Sequence, residues 1–245
     1  MVKHVIFQDL GTISYKEAWD YQQQLLEKAI ARKRSNRGLL PTDSDYQAQK
    51  HQLLFCEHPP VYTLGRKGDT ANLLLNEAEL EKEGIEFYKI NRGGDITYHG
   101  PGQLVVYPIF DLECFFTDVH RYVRTLEEII IRTLSDYGLK GQREKGYTGV
   151  WLKETLVLPK RKICAIGVHL SRWVTMHGLA FNVHPNLQHF NHIIPCGIQE
   201  EGKSVTSLEV ELNQTIELEE VKQKVKHQFA EQFEFEFAAT SILTK

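Results

Sequence analysis

The sequence predicts a mixed α/β fold, α+β in the sense of a mixed sheet with helices placed irregularly around it. Three observations lead there. Short apolar stretches alternate or run continuously, as strands do, while a few longer ones repeat at helical spacing. Strands and helices then follow one another without the regular βαβ alternation of a doubly wound sheet. A hydrophobic share of 42% beside 25% charged residues is the balance of an ordinary globular protein. No repeat, low-complexity tract or linker divides the 245 residues, so a single domain over 1–245 is expected.

The elements follow in order. KHVIFQDLG reads as a strand ending at Gly11. Ser14 and Glu17 form a capping-box pattern that opens an amphipathic helix through about Ile30. The polar stretch RKRSNRGLLPTDSDYQAQ reads as a long loop. Its cluster Arg32, Lys33, Arg34 and Arg37 is either a solvated helix end or, more sharply, a docking patch for an acidic partner. A β-rich part follows with QLLFCEH, VYTLG, EFYKIN, DITYH and QLVVYPIFDL. A second helix is expected from Asp118 to Tyr137, stopped by Gly138. Strands resume with TGVWLKE, RKICAIGVHLS and GLAFNV. A last helix covers Leu218–Gln232, and EFEFA suits an edge strand.

Charge and composition exclude several classes. A net charge of −3 argues against a dedicated nucleic-acid binder, which needs a positive surplus to engage phosphates. No run approaches the roughly eighteen apolar residues of a membrane span, and the first twenty residues lack a signal peptide's apolar core, so a cytoplasmic protein is expected. Cys56, Cys114, Cys164 and Cys196 match no structural zinc spacing and are expected as free thiols.

Polar residues gather on glycine in two places. NRGGDITYHGPGQLVVYPIFDL, residues 91–112, sets Gly93, Gly94, Gly100 and Gly102 around Arg92, Tyr98, His99 and Gln103. It lacks the G-K-[ST] ending of a P-loop, and strand formers rather than a helix follow it. Two tight turns flanking a strand would explain it structurally. The density of polar groups points instead to a site where backbone N–H groups approach a ligand closely. RKICAIGVHLSRWVTMHGLAFNV, residues 161–183, places Lys162 ahead of an apolar strand. Such a lysine is usually exposed, yet in an apolar pocket it becomes a usable base. His177, His184, His189 and His192 are spaced by seven, five and three, which fits no helical ligand pair, and no metal site is expected. Finally, IIPCGI sets Cys196 between Pro195 and Gly197, a rigid turn that either ends a strand or fixes a thiol in place.

RGGDITYHGPGQLVVYPIFDL, KICAIGVHLSRWVTMHGLAFNV and PCGI, in that order over roughly residues 50–210, together resemble the octanoyltransferases of lipoate biosynthesis. The resemblance implies a biotin/lipoate protein ligase-like catalytic domain and no cofactor. It implies transfer of octanoyl groups from acyl carrier protein to lipoyl-domain lysines, in 2-oxoacid dehydrogenase E2 subunits and the glycine cleavage H protein. It implies a dyad of Cys196 and Lys162. The acyl-binding segments would be Arg92, Gly93, Gly94, Asp95, Ile96, Thr97, Tyr98 and His99, then Ala165, Ile166 and Gly167, then Gly178, Leu179 and Ala180. The polar segment 32–50 and the helix after the last motif depart from the family pattern and bear on docking rather than chemistry.

The implied chemistry suits the residue types. A thiol relays an acyl group between thioesters of similar energy, so no ATP is needed, and the thiolate is the competent form. A neighbouring lysine can take the thiol's proton and then that of the acceptor amine. Backbone N–H groups at Gly93–Gly94 or Gly197 are candidate oxyanion donors, and His99 and His177 either orient the carbonyl or brace loops. Ile166, Leu179 and Ala180 either offer surface for the acyl chain, whose burial would contribute about 4–5 kcal/mol, or are plain core, as strand alternation equally predicts. Cys164 is the rival thiol, since strand alternation puts it on the face of Lys162, although its place inside an apolar strand favours a buried, inert thiol. An ATP-dependent ligase, an octanoyl amidotransferase and a non-enzymatic binding module are the alternative functions.

Overall fold

The computed structural model describes residues 3–194 and 203–239. The chain begins with β1 (Lys3–Thr12) and α1 (Tyr15–Ser35), then β2 (His51–Glu57) and β3 (Val61–Leu64). A short α2 (Glu77–Glu83) precedes β4 (Glu86–Lys89), β5 (Ile96–His99) and β6 (Gln103–Ile109). After α3 (Val119–Ser135) come β7 (Gly141–Glu144), β8 (Tyr147–Leu152), β9 (Lys160–Ser171) and β10 (Val174–Asn182). The chain closes with β11 (Lys203–Val205), α4 (Leu208–Leu212), α5 (Leu218–Phe233) and β12 (Phe235–Phe237).

The strands form a large mixed sheet in the order β12-β1-β2-β6-β10-β9-β8-β7, with β11 beside β9, and a small sheet β4-β3-β5. Both contain parallel and antiparallel pairs, as the absence of βαβ alternation predicts. EFEFA does supply an edge strand, parallel to β1.

The large sheet is covered on both faces, and its central strands read accordingly as continuous apolar runs. Leu53, Phe55, Leu104, Val106, Leu179 and Phe181 pack under α3 and α5. Their strand neighbours Leu54, Cys56, Val105, Tyr107 and Ala180 join Ala18, Leu25 and Leu26 of α1 on the other face. Among the described residues no helix is long and apolar enough to cross a membrane.

Ser14 caps α1 as the sequence predicts, accepting from the Glu17 N–H at 3.2 Å. The helix runs five residues beyond Ile30, through Ser35, with Arg32, Lys33 and Arg34 in its last turn, where cations suit the helix dipole. Lys33 is not a solvated charge: it binds Asp111 at 2.7 Å, Glu113 at 3.0 Å and the Arg172 carbonyl at 2.8 Å. The sequence reading missed α2, α4, β7 and β11, all short, and began β10 at Gly178 rather than Val174.

The β8–β9 ladder contains the departure that matters most. Val150 pairs with Cys164 and Trp151 with Lys162, so Ile163 is an extra residue in β9. Such a bulge reverses the alternation of side chains across it. Ile163 and Cys164, adjacent in sequence, accordingly pack into the same core under α3 and α5. Lys162 does not share a face with Cys164.

Gly178 lies on β10 against β6, and a Cβ there would run into the Val106 carbonyl oxygen. Gly178→Ala is therefore expected to destabilise the protein by about 2–3 kcal/mol, as overpacking against unyielding backbone does. Thermal unfolding of the variant beside the parent protein checks this.

Candidate active site

A cavity of about 440 Å³ opens where β5 and the loop at 92–94 meet β6, β9 and β10. Its wall is mostly small or apolar: Gly93, Gly94, Val105, Ala165, Gly167, Val168, Gly178, Leu179 and Ala180 all contribute, as do Ile96, Thr97 and Ile166. Arg92, His99, Gln103, Lys162, His177 and Asn182 bring the polar groups. Twelve of the fourteen residues expected to bind the acyl group, together with Lys162, thus reach one wall. Asp95 and Tyr98 are not part of that wall. Asp95 braces the loop, taking the Ile96 N–H at 2.7 Å and the Asn72 amide at 2.7 Å. Tyr98 stacks on His189 at 4.8 Å in the core of the small sheet. Cys196 lies outside the described residues, in the stretch between Ile194 and Lys203. Phe190 before that stretch and Val205 after it both line the cavity.

The glycine-rich loop is held by backbone bonds. Arg66 N–H reaches the Arg92 carbonyl at 3.0 Å, Gly65 N–H the Asp95 carbonyl at 3.1 Å, and Gly93 N–H the Val168 carbonyl of β9 at 2.9 Å. Gly93 therefore spends its N–H on β9, which removes it as an oxyanion donor in this arrangement. Gly167 permits the contact: a Cβ there would lie 2.9 Å from the Gly93 carbonyl oxygen.

A directed chain of buried hydrogen bonds runs from this loop across the large sheet. Arg92 donates to the Thr63 hydroxyl at 3.0 Å and to the Thr63 carbonyl at 2.6 Å. With its oxygen so engaged, the Thr63 hydroxyl is oriented to donate to His99 Nε2 at 3.3 Å. His99 Nδ1 meets Gln103 Oε1 at 2.8 Å, and the Gln103 amide donates to Asn182 Oδ1 at 2.9 Å. Asn182 in turn donates to the Thr206 carbonyl at 3.0 Å, and the Thr206 N–H to the Lys162 carbonyl at 3.0 Å. An amide oxygen only accepts, so the proton of neutral His99 sits on Nδ1. The sequence pointed to Arg92, His99 and Lys162. It did not point to Thr63, Asn182 or Thr206, whose signal lies in cross-strand register and not in any motif.

His177 is set differently. Its backbone is left-handed, φ 59°, within β10, and its N–H binds the buried Gln22 side chain at 2.9 Å. Nε2 meets Asn91 Oδ1 at 2.9 Å, so Nε2 carries the proton. Burial pushes both His99 and His177 down to about 3, with His58 adding to the effect at His99 and Arg92 at His177. Both rings are neutral throughout the physiological range and neither is a proton shuttle there.

Lys162 is 9% exposed and stands over the indole of Trp151, Nζ 4.7 Å from the ring centroid. The rival thiol is excluded by its surroundings: Cys164 is fully buried in the core, and burial pushes its pKa well up. Cys56 is similarly buried, with its Sγ 3.6 Å from His58 Nε2, and it too is pushed up by burial.

Residues 14–230 match the lipoyl protein ligase A/B catalytic domain, and the chain belongs to that family. Its fold is the biotin/lipoate protein ligase-like catalytic fold. A bipartite lipoate protein ligase of Thermoplasma acidophilum superposes with a TM-score of 0.69 at 17% identity, over 100% of this chain and 89% of that one. Within the family the chain stands with the octanoyltransferases and is an acyltransferase. The octanoyltransferase of Flavobacterium johnsoniae is 55% identical, over 96% of this chain and 99% of its own length. That of Cytophaga hutchinsonii is 51% identical, over 99% and 98%.

The buried histidines make stability sensitive to acid. His51 and His58 are lowered to about 4 by burial, His99 and His177 to about 3, against an ordinary 6.5. Below pH 6.5 the unfolded chain binds protons that the native state refuses, so stability is full above that pH and is lost as pH falls towards 4. Each group costs about 1–2 kcal/mol by pH 5. Thermal midpoints should drop steeply between pH 7 and pH 5, and a flat profile would contradict the burial of these rings.

Proposed function

We propose that the octanoyl group passes through a thioester on Cys196, with Lys162 as the base of both half-reactions. The observation that carries this reading is the position of Lys162, a lysine on a buried strand at the wall of a largely apolar cavity. The residues that flank the Cys196 stretch, Phe190 and Val205, belong to the same wall. The donor is octanoyl-acyl carrier protein, the acceptors are lipoyl-domain lysines, and the reaction takes place in the cytoplasm.

In the first half-reaction Lys162 takes the Cys196 proton, and the thiolate attacks the carrier thioester. The new C–S bond forms as the old one breaks, and the departing carrier thiolate takes the proton back from the lysine ammonium. In the second, Lys162 accepts a proton from the acceptor amine, which attacks the enzyme thioester. An amide forms and the proton returns to the departing Cys196 sulfur. One base, cycling between amine and ammonium, closes both steps. The neutral rings of His99 and His177 fix the cavity's hydrogen-bond directions without competing for that proton. The acyl chain lies against Ile166, Leu179 and Ala180, and burying most of it contributes about 4–5 kcal/mol.

Incubation with octanoyl-acyl carrier protein should add one hydroxylamine-labile octanoyl group at Cys196, read by intact and peptide mass spectrometry. Lys162→Met should slow transfer to the lipoyl domain by about 10²–10⁴-fold. An adduct mapping to Cys114 or Cys164, or a Lys162→Met enzyme with unchanged rate, would overturn the assignment.

A further inference from the structure

Trp151 has no part in the proton relay, yet its indole faces the base. Its strand neighbours Val150 and Leu152 pack into the core under α3 and α5, whereas Trp151, fully buried, turns to the opposite face. There it stands opposite Lys162 at the β-bulge, the Lys162 Nζ lying 4.7 Å from its ring centroid. That is well inside the distance of about 6 Å over which an indole face attracts a cation. Tyr147, which also lines the cavity, packs edge-on against the indole at 5.8 Å and 68°. The strand itself is tied down by Glu127, buried on α3, which accepts the Gly149 N–H at 3.1 Å and pairs with Arg124 and Arg143. An indole so fixed presents its face to Lys162.

We propose that Trp151 is a positioning residue that holds Lys162 as an ammonium at the cavity wall and thereby favours the thiolate–ammonium pair with Cys196. The inference rests on the reading of Lys162 and Cys196 as base and nucleophile. The negative ring face stabilises the charged lysine and not the neutral amine, so it shifts the proton's balance away from sulfur. The bulge at Ile163 is what makes this possible, since regular alternation would turn Lys162 to the helix-covered face.

The test is the pH dependence of iodoacetamide alkylation at Cys196 in the full chain, read peptide by peptide because Cys114 is exposed and reacts as well. In Trp151→Leu the alkylation midpoint should rise by about half to one pH unit, and acyl transfer near neutrality should slow about three- to tenfold. Trp151→Phe keeps a weaker ring face and should recover part of both effects. If both variants fold and keep the parent midpoint while Lys162→Met raises it, Trp151 only fills space and the inference is wrong. If Lys162→Met itself leaves the midpoint in place, the dyad falls and takes the inference with it.

Discussion

The buried hydrogen-bond chain from Arg92 to the Lys162 carbonyl is the constraint on which the site depends. It crosses from the small sheet through Thr63 and His99, enters the large sheet at Gln103 and Asn182, and ends through Thr206 on β9. Each member is buried, and a buried polar group left without a partner costs more than a made bond contributes. The chain therefore tolerates one set of strand registers and penalises the others. It also carries a direction: guanidinium donor at one end, backbone carbonyl at the other, every amide and ring tautomer fixed between. A cavity built on such a frame can hold an apolar chain in one orientation although most of its wall has no polar handle.

The β-bulge at Ile163 is the second constraint. It divides β9 into a part that feeds the core with Ile163 and Cys164 and a part that presents Lys162 to the cavity. One inserted residue thus separates the inert thiol from the lysine that strict alternation would have placed beside it. β11 then continues the lane of β10 along β9, pairing Val205 with Lys162, so the lysine's backbone is held from both sides.

Much of this was legible in the sequence, and the remainder was hidden for identifiable reasons. Long apolar runs, the Ser14 cap and the helical repeat of α3 announce themselves locally, so the major elements fall where periodicity puts them. The glycine-dense stretch around Arg92–His99 and the lysine at the head of β9 stood out because their composition is unusual, and most of both reach the cavity. Thr63, Asn182 and Thr206 look unremarkable in sequence because their roles come from which strand lies beside which. Tyr98 and Asp95 share the dense stretch but serve the small sheet's core and the loop's own bonds, a distinction that spacing cannot make. Bulges leave no composition signal, which is why Cys164 read as a neighbour of Lys162.

On the proposed relay, the octanoyl chain occupies the cavity between the two sheets while its carbonyl is within reach of Lys162. A crystal structure of the octanoyl-enzyme tests it most directly. The expected result is a thioester at Cys196 whose alkyl chain lies along Ile166, Leu179 and Ala180, with Lys162 Nζ within hydrogen-bond distance of the reacting sulfur or carbonyl. An acyl chain lying outside this cavity, or a thioester far from Lys162, would contradict it.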